Sequence, residues 1–549
     1  MNSSMESHCI SFREIPDTTK LFSSFLEDFQ QVAAYYAHPP TEAGIDAAAR
    51  EIQLDVSTRR VLVEVLREQN RLLGADSATE KNIDRLAAGA AAIVTGQQVG
   101  LFSGPAYTLY KAVSAINCAE QLTRRGTDAV PIFWLATEDH DLAEVNHSIW
   151  NARSGLGEYD LPGSEADAGK RVGEIKLGQS VEPLVAAAAQ VLEGGFAGEI
   201  ARALRETYLA GETYGSAFGK LMVRLLAGRG VIFIDPLDAR LHRLMAPVFQ
   251  KALDQDELLR KSLLDRSKEL EQRDFHAQVK VTRETTLLFC TVQGRREAVR
   301  SHGGKFYAGK ASFSREELSS WIEKTPEDFS PNALLRPVIQ DALLPTAAYI
   351  GGPAEVAYMA QAQVVYKQIL GRMPAILPRE SFTIVQPAVA NLLEKYGLEI
   401  GDFFRGRQHL RKKMEAKSLP SDLARSFDAG EESLRRLLSS YEEPLKKLDP
   451  SLVGVLQSAE SKMLYQFSKL KGKAAEAENF RTGVLDRHEP ILLDSLYPHR
   501  GLQERSLCAL PFLAEYGLAF LDNLARASCA PGSTESSSCA GQHRVLVLK

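Results

Sequence analysis

The sequence lacks the cysteine and histidine patterns that hold structural metal ions. Its six cysteines are scattered over 549 residues, and no two of them form a CxxC pair. Because zinc ribbons and disulfide frameworks need cysteines at short, regular spacings, the sequence predicts neither. An HExxH motif or a comparable histidine spacing is also missing, so no metal-ligand motif is predicted.

The sequence also lacks a long apolar run and a surplus of basic residues. No stretch of about 18 apolar residues is present, and the N-terminus has no basic segment followed by an apolar one. The chain carries 65 lysines and arginines against 70 aspartates and glutamates, a net charge of −5. Binding that depends on phosphate neutralisation needs a positive surplus. We therefore expect a cytoplasmic protein with neither a nucleic acid nor a membrane as partner.

Three common nucleotide-binding and hydrolase motifs are missing as well. The segment Gly304–Lys310 has P-loop spacing, but Ala311 replaces the Ser or Thr that binds the metal, and no core strand precedes it. Neither GxGxxG nor GxSxG occurs in the chain. These absences argue against a P-loop enzyme, a dinucleotide-binding enzyme and an α/β-hydrolase.

What the sequence does contain is clearest in the segment Ala91–His147. An apolar run that ends at Val94 precedes a glycine-rich loop, and apolar residues then recur at helical spacing from Leu109 to Leu122. A second apolar run, Val130–Ala136, has the composition of a buried strand. The pattern predicts a βαβ unit, whose ligands lie beyond the carboxyl ends of the strands.

Polar side chains follow both predicted strands of this unit. Gln97 and Gln98 follow the first strand, and the run Glu138–Asp141 follows the second. Because the carboxyl ends of parallel strands meet at one edge of a sheet, the sequence predicts a ligand site between these two groups.

Four parts of the chain resemble the cysteine ligase family of bacillithiol biosynthesis, whose enzymes are proposed to add cysteine to glucosaminyl-malate. In chain order they are ISFREIPDTTKLFSSFLEDF, TGQQVGLFSGPAYTLYK with PIFWLATEDHDLAEVNH, SPNALLRPVIQDALLPTAAYIGGPAEVAY, and LYPHRGLQER. They spread over roughly residues 10–507. The resemblance implies the same step here, with cysteine and glucosaminyl-malate as small-molecule substrates and a low-molecular-weight thiol as product.

The resemblance also implies a fold. The core of that family is similar to the catalytic domain of class I aminoacyl-tRNA synthetases and carries a helical coiled-coil appendage. We therefore expect an α/β protein with a Rossmann-like parallel-sheet core, inserted subdomains and an α-helical coiled-coil domain. The expected bounds are 1–387 for the core, with insertions near 154–211 and 274–328, 388–485 for the coiled coil, 486–524 for a segment that returns to the core, and 525–549 for a disordered tail.

The expected coiled-coil domain has the apolar spacing of two antiparallel helices. Apolar residues step by three or four positions on both sides of a break at Asp449-Pro450. One hairpin has a small core, so we predict that its apolar seam pairs with a second chain in a homodimer. Packing of the seam on the chain's own core is the alternative. The seam includes Leu438, Leu456, Met463 and Leu470.

The loop-to-helix corner after the first predicted strand is the expected anion site. Amide formation needs an activated acyl group, hence donors for phosphate and a clamp on the amino acid. Ser103 and Gly104, at the predicted helix start, can offer backbone N–H groups to an anion. Tyr107 and Lys111 lie four residues apart and share one helix face. The resemblance places a histidine motif for ATP phosphates here, but those histidines are absent, and a solvated cation is the alternative for Lys111.

The acidic cluster after the second strand is the expected catalytic centre. Such groups can deprotonate an ammonium or clamp a substrate amine. A metal site and a purely structural cluster are the alternatives. If residues 141–147 are helical, His140 and His147 share a face. The predicted catalytic residues are Asp139, His140, His147 and Lys111, and the cluster also supplies Glu138 and Asn146 as substrate ligands.

A second strand-to-helix corner, Tyr349–Glu355, completes the predicted substrate site. Gly351 and Gly352 permit close approach of a ligand, and Glu355 can neutralise an ammonium. Arg336, upstream of this corner, is predicted to bind a malate carboxylate through paired hydrogen bonds. Salt bridges within the fold are the alternative for these residues. The full substrate-binding set is Gln97, Gln98, Ser103, Gly104, Tyr107, Glu138, Asn146, Arg336, Tyr349, Gly351, Gly352 and Glu355.

These observations lead to one predicted function and two alternatives. We expect a carbon–nitrogen bond-forming ligase that joins cysteine to glucosaminyl-malate in the last step of bacillithiol biosynthesis. An adenylate-forming or nucleotidyl transferase with another substrate is one alternative, and a non-catalytic small-molecule sensor or scaffold is the other. The cofactor is unknown from the sequence: ATP is compatible with ligation chemistry, but the chain has no P-loop. The sequence assigns neither the general acid nor the general base.

Overall fold

A computed structural model of the protein describes residues 5–152, 155–528 and 541–548. The chain forms two compact units. The core unit comprises residues 7–383 and the described residues between 504 and 545. The helical unit comprises residues 384–503 with short terminal segments.

The strands have the following bounds: β1 (Met5–Ile10), β2 (Ala91–Gln97), β3 (Ala129–Leu135), β4 (His147–Ala152), β5 (Gly155–Asp160), β6 (Ile232–Ile234), β7 (Thr285–Val292), β8 (Arg295–His302), β9 (Lys305–Ala308), β10 (Ala311–Phe313), β11 (Phe329–Pro331), β12 (Thr346–Gly351), β13 (Ala375–Pro378), β14 (Phe382–Val385) and β15 (His543–Leu548).

The α-helices have the following bounds: α1 (Lys20–Glu27), α2 (Glu42–Arg50), α3 (Val56–Leu73), α4 (Ser77–Ala88), α5 (Tyr107–Arg124), α6 (Val181–Gln190), α7 (Ala197–Thr207), α8 (Tyr214–Leu225), α9 (Ala239–Asp254), α10 (Asp256–Gln272), α11 (Arg315–Lys324), α12 (Arg336–Leu343), α13 (Pro353–Ile369), α14 (Pro387–Tyr396), α15 (Ile400–Phe404), α16 (Arg407–Ala416), α17 (Ser421–Ser439), α18 (Glu442–Leu448), α19 (Leu452–Thr482), α20 (Val484–Leu496), α21 (Gln503–Ser506), α22 (Leu510–Tyr516) and α23 (Phe520–Ala527). Among these helices, none combines the length and the apolarity that crossing a membrane requires.

The core unit is built on a five-stranded sheet in which every neighbouring pair is parallel. Its strand order is β13–β12–β2–β3–β6. The first strand of this sheet in chain order, β2, therefore lies in its middle. The strands β3 and β6 follow on one side, and β12 and β13 follow on the other side. Numbered in chain order within the sheet, this is the doubly wound Rossmann order 3-2-1-4-5, which reverses between β2 and β12. The structure confirms the predicted βαβ unit, with β2, α5 and β3 as its elements, and the predicted Rossmann-like fold.

Apolar packing holds the crossover helices on this sheet. The strands β2 and β3 are buried along nearly their whole length, as expected for parallel strands covered by helices. Small side chains on α5 let this helix lie close to the sheet. One buried cluster joins α2, α5 and four strands, and it includes Ile45, Ile93, Ala115, Ile350 and Leu377.

A second, antiparallel sheet is inserted between α10 and α12. Its strand order is β10–β9–β8–β7–β11. The turn between β7 and β8 consists of Gln293 and Gly294, which have φ values of 51° and 75°. Positive φ at both central positions is typical of a type I′ hairpin turn, and it explains the glycine there. The strands of this sheet occupy residues 285–331, close to the insertion expected near 274–328.

The helical unit contains a long antiparallel hairpin. Helices α17 and α18 pack along α19, and the chain breaks at Asp449-Pro450 as predicted. The rings of Phe427 and Phe467 meet edge to face with centroids 5.5 Å apart. Nearby, Lys471 and Asp428 form an ion pair at 2.6 Å. Two helices that share an apolar seam and flanking ion pairs are the expected form of a coiled-coil hairpin.

The disordered tail predicted over 525–549 is wrong for the residues that the structure describes. Helix α23 continues to Ala527, and residues 543–548 form β15. Val545, Leu546 and Leu548 are buried in this strand, because the short apolar run HRVLVL gains free energy by leaving water. The polar segment 529–540, on which most of that prediction rested, lies outside the described residues.

Candidate active site

A cavity of about 930 Å³ lies at the carboxyl edge of the parallel sheet, where the strand order reverses between β2 and β12. Ligands of doubly wound sheets bind at such a reversal point. Most of the predicted site residues line this cavity, and those that do are Gln97, Gln98, Tyr107, Lys111, Glu138, Asp139, His140, Arg336, Tyr349, Gly352 and Glu355.

Lys111 and Glu355 form an ion pair across the reversal point. Lys111 lies in the second turn of α5, the helix that follows β2 after a loop, and Glu355 lies in the first turn of α13, which directly follows β12. Lys111 Nζ also donates to the Gly96 carbonyl at 2.9 Å and to Gln97 Oε1 at 2.8 Å. Glu355 accepts the backbone N–H of Gly352 at 2.7 Å. Lys111 is buried, so the alternative of a solvated helix cation is wrong.

Each member of this ion pair stabilises the charged form of the other. Burial lowers the pKa of Lys111, and the Glu355 carboxylate opposes this effect. Although burial opposes ionisation of Glu355 too, Lys111 and the Gly352 N–H keep the pKa of Glu355 below its ordinary value. The pair therefore presents a fixed, hydrogen-bonded ammonium group at the cavity wall.

Arg336 lines the cavity with uncharged partners. Its guanidinium donates to Gln340 Oε1 at 3.0 Å, to the Tyr358 hydroxyl at 3.1 Å and to the Tyr349 hydroxyl at 3.3 Å. Among the described residues no carboxylate forms an ion pair with it, so the alternative of a salt bridge within the fold is wrong for this residue. An arginine placed in this way fits an anionic ligand group, such as a carboxylate.

Two further arginines of the cavity wall, Arg379 and Arg505, come from distant parts of the chain. Arg379 follows β13 and donates to Glu504 Oε1 at 2.7 Å, and both side chains are buried. The Arg379 guanidinium also lies 5.2 Å from the ring centre of Tyr107. The sequence does not single out Arg379 or Arg505 as site residues, although LYPHRGLQER contains Glu504 and Arg505. Adjacent opposite charges in that segment were the available signal.

Asp139 and His140 share a hydrogen-bond network with Arg296 of β8. Asp139 accepts from the Gln98 side chain at 2.8 Å and from the backbone N–H of His140 at 2.7 Å. Although burial opposes ionisation, hydrogen bonds from Gln98 and from the backbone N–H of His140, together with the charge of Arg296, hold the pKa of Asp139 well below its usual range. Asp139 is therefore a permanent carboxylate, which suits a clamp on an ammonium group better than a proton acceptor.

His140 is oriented by the same arginine. Arg296 Nη1 donates to His140 Nδ1 at 2.9 Å, so this ring nitrogen acts as the acceptor and Nε2 carries the proton. The Arg296 guanidinium lies 3.8 Å from the ring centre of Phe289, which holds it in place from the other side. His140 can therefore donate a hydrogen bond through Nε2.

Glu138 is buried far more deeply than Asp139, with side-chain exposures of 8% and 35%. Burial raises the pKa of Glu138 to about 7, while the positive charges of Arg296 and Arg171 oppose the shift. Near neutral pH this carboxyl group is therefore protonated for part of the time. Glu138 has a raised pKa and Asp139 a lowered one, so the two neighbouring acids are suited to different chemical roles.

The predicted anion site at Ser103 and Gly104 is wrong. These residues do not line the cavity, and a tight turn before α5 gives Phe102 and Ser103 positive φ values of 53° and 76°. The backbone N–H of Ala106 donates to the Leu507 carbonyl at 2.8 Å. Of the two expected donors, the backbone N–H of Gly104 is paired with the Leu101 carbonyl at 2.9 Å, within the same turn.

Asn146, His147 and Gly351 also lie outside the cavity wall. The segment 141–147 is not one helix: residues 142–144 form a single 3-10 turn, and His147 begins β4. His140 and His147 therefore do not share a helix face. A Cβ atom at Gly351 would lie 3.1 Å from Cβ of Glu355, so this glycine gives the glutamate room.

The antiparallel insertion forms one wall of the cavity. Its strands β7 and β8 contribute Leu288, Phe289, Arg296, Val299 and Arg300. The sequence predicts an insertion here but not its place beside the site. Periodicity within a strand does not show which other elements the strand packs against.

The cavity is rich in cations and contains no recognisable metal centre. Within the part of the chain that the structure describes, no group of three or more His, Cys, Asp or Glu side chains is arranged to hold a metal ion. Besides Lys111 and Arg296, the cavity wall carries the cations Lys280, Arg300, Arg336, Arg379 and Arg505, whose charge fits a carboxylate or a phosphate.

Comparison with known protein families gives two matches that together cover nearly the whole chain. Residues 5–380 match the family model described as the N-terminal Rossmann-like domain of the bacillithiol biosynthesis protein BshC. Residues 382–530 match the model described as the C-terminal coiled-coil domain of the same protein.

Similar full-length proteins carry the same description. The chain is 41% identical to a protein of Koribacter versatilis, over 98% of this chain and 99% of that protein. It is 38% identical to one from Solibacter usitatus, over 94% and 96% of the two chains. Identity to a protein of Bacillus cytotoxicus is 26%, over 95% and 97%. All three relatives carry the name cysteine ligase BshC.

Proposed function

Because this chain belongs to the BshC family of bacillithiol biosynthesis, we propose that it ligates cysteine to glucosaminyl-malate. The observation that carries the proposal is the full-length match, in which both family models and a relative 41% identical over 98% of the chain agree. In this reaction the carboxyl group of cysteine and the sugar amine form an amide. Because a Rossmann-like fold alone occurs in enzymes with many different activities, the match of both domains to one family is what supports this particular reaction.

The charged groups of the cavity are suited to substrates of this kind. Glucosaminyl-malate carries carboxylates at one end and an ammonium group on the sugar, and cysteine carries one charge of each sign. We assign a carboxylate of malate to Arg336. The permanent carboxylate of Asp139 clamps an ammonium group, and His140 donates a hydrogen bond through Nε2.

Lys111 is assigned to the reacting carbonyl group. Negative charge develops on the carbonyl oxygen while the amine attacks, and a fixed ammonium in a partly dry cavity stabilises that charge. Glu355 positions Lys111 rather than reacting itself, because it pairs directly with the lysine. Gln97, Tyr107 and Tyr349 complete the wall around this pair.

Amide formation from a carboxylate also needs an activating group. ATP would supply it by converting the cysteine carboxylate into an acyl phosphate or an acyl adenylate. The chain has no P-loop, and Arg300, Arg379 and Arg505 are cations of the cavity wall that would hold phosphate groups.

We also propose that the protein is a cytoplasmic homodimer joined through the hairpin of α17, α18 and α19. On this hairpin Met463 and Leu470 are 47% and 59% exposed, and their seven-residue spacing places them on one face of α19. Apolar side chains in a row on a helix surface normally mark an interface. A cytoplasmic location is proposed because the reaction consumes free cysteine, a thiol that reducing compartments preserve.

Deletion of the gene tests the proposed function. Cells without it are expected to lose bacillithiol and to accumulate glucosaminyl-malate, because the proposed step is the last one. Mass spectrometry of the cellular thiols measures both compounds, and a plasmid copy of the unaltered gene serves as the control that restores them. Normal bacillithiol after a clean deletion would contradict the proposal.

A further inference from the structure

Glu138 faces a second buried titratable side chain, His242 of α9, which does not itself line the cavity. Glu138 Oε1 and His242 Nε2 lie 3.6 Å apart, and both residues are almost completely shielded from solvent. Neither atom has a hydrogen-bond partner within the described part of the chain. Two buried polar atoms that face each other without a proton between them cost free energy.

The other ring nitrogen of His242 determines the role of Nε2. His242 Nδ1 lies 3.2 Å from the carbonyl oxygen of Pro326. A carbonyl can only accept, so Nδ1 donates, and in the neutral ring Nε2 is left as an acceptor. An ionised Glu138 would therefore present a second acceptor to it. The contact becomes a hydrogen bond when one proton lies between the two atoms.

Charged groups from several elements determine which partner holds that proton. Burial raises the pKa of Glu138 to about 7 and lowers the pKa of His242 to about 4, so near neutral pH the proton resides on Glu138. The groups that act on Glu138 are Arg296 of β8, Arg171, Arg336 of α12 and Asp235 after β6, and those that act on His242 are Arg171, Asp238 and Asp328.

We propose that Glu138 and His242 form a proton-accepting dyad, and that Glu138 is the catalytic base of the ligation proposed above. Glu138 takes a proton from the sugar ammonium: the N–H bond breaks, its electron pair stays on nitrogen, and an O–H bond forms on Glu138. The free amine then attacks the activated acyl group of cysteine. His242 is a positioning residue: its Nε2 faces the buried Oε1 of Glu138 and accepts the O–H of the protonated carboxyl group, and it does not line the cavity.

Three variants test the dyad in a labelled-cysteine assay. Lysate of cells that lack the gene receives glucosaminyl-malate, cysteine labelled with ¹³C and ¹⁵N, and the purified protein. Glu138→Gln keeps the shape but accepts no proton, so the initial rate is expected to fall about 10²–10⁴-fold. His242→Asn keeps a donor for the Pro326 carbonyl and removes the atom that faces Glu138, so a fall of about tenfold is expected.

Glu380→Gln is the matched control. Burial also raises the pKa of Glu380 to about 7, but this glutamate pairs with Arg544 and lies outside the cavity wall. Its replacement is expected to leave the rate unchanged. A general effect of removing a buried glutamate is thereby separated from the loss of the base.

The pH dependence separates a positioning role of His242 from a structural one. The wild-type rate is expected to rise with pH around 7, because Glu138 must be ionised to accept a proton. In His242→Asn the midpoint is expected at lower pH, since protonated Glu138 loses the acceptor that stabilises it. Infrared difference spectra of wild type against Glu138→Gln are expected to show a protonated-carboxyl stretch at about pH 6 that disappears by about pH 9.

The outcomes distinguish the dyad from the ligation on which it rests. If the wild-type protein forms no labelled bacillithiol, the proposed function fails, and the infrared band still decides whether Glu138 holds a proton. If the wild type is active and Glu138→Gln is equally active, the dyad is wrong. An unchanged midpoint in His242→Asn, or a Glu138 that is already ionised at about pH 6, would also overturn it.

Discussion

At the scale of single residues, the site depends on two adjacent acids with opposite properties. Hydrogen bonds from Gln98 and from the His140 backbone keep Asp139 charged, whereas burial favours the protonated form of Glu138. The side-chain types are nearly the same, so the difference comes from their surroundings. The sequence shows both acids but not this difference, because Arg296 and His242 reach them from distant elements.

Asp139→Asn and His140→Ala are each expected to lower bacillithiol formation at least about 100-fold. The first change removes the permanent charge that clamps the ammonium, and the second removes the donor held by Arg296. Both residues lie beyond the end of β3, so melting temperatures are expected to change little. The measurement is the bacillithiol content of deletion cells that carry each variant on a plasmid.

Asp141→Asn is the control for these two variants. Asp141 is exposed and does not line the cavity, although it belongs to the same acidic run. Its replacement is expected to restore normal bacillithiol. Full restoration by Asp139→Asn and His140→Ala as well would remove both residues from the mechanism.

At the scale of elements, the site is built where two strand-to-helix corners meet. The sequence predicts both corners, because glycines, a proline and apolar periodicity mark each one. It also predicts that Lys111 and Glu355 belong to the site, and the structure adds that they form one ion pair. It does not predict that the start of α5 is closed by the Leu507 carbonyl, since no local pattern reports a partner so distant in the chain.

Lys111→Met is expected to destabilise the protein by about 3–5 kcal/mol, because it leaves the Glu355 carboxylate buried without its partner. Lys111→Met combined with Glu355→Gln is expected to cost less than the single change, since no unpaired charge remains. Urea unfolding of the four proteins of this double-mutant cycle measures the difference. If the double variant is the least stable of the four, the interpretation of the pair as a coupled unit is wrong.

At the scale of the whole molecule, a Rossmann-like unit and a helical unit are combined in one chain. The resemblance and the apolar periodicity are sufficient to predict both, because long amphipathic helices and alternating βα segments are strong signals. The strand β15 cannot be predicted in this way, because it is short and follows a polar segment. Strands of this length gain their stability from neighbours that the local sequence does not identify.

Met463→Glu combined with Leu470→Glu is expected to give a folded monomer. Both side chains are exposed on α19, so the changes are tolerated within one chain but place charge in the proposed interface. Leu456, which belongs to the same seam, is half-buried and would be a less selective site for this test. Light scattering at micromolar concentration measures the mass, and circular dichroism confirms the helix content.

Leu258→Glu is the matched control for the interface. Leu258 is 54% exposed on α10 of the core unit, so the change adds the same charge outside the hairpin. This variant is expected to have the mass of a dimer. A monomer mass for the unaltered protein would mean that the seam of the hairpin does not join two chains.

The most direct test of the central claim follows the atoms of cysteine into the product. Lysate of deletion cells receives glucosaminyl-malate, cysteine labelled with ¹³C and ¹⁵N, and either the purified wild-type protein or none. The account predicts bacillithiol that carries the whole cysteine label, formed only when both the protein and glucosaminyl-malate are present. Labelled bacillithiol formed equally well without the protein, or none in its presence, would contradict it.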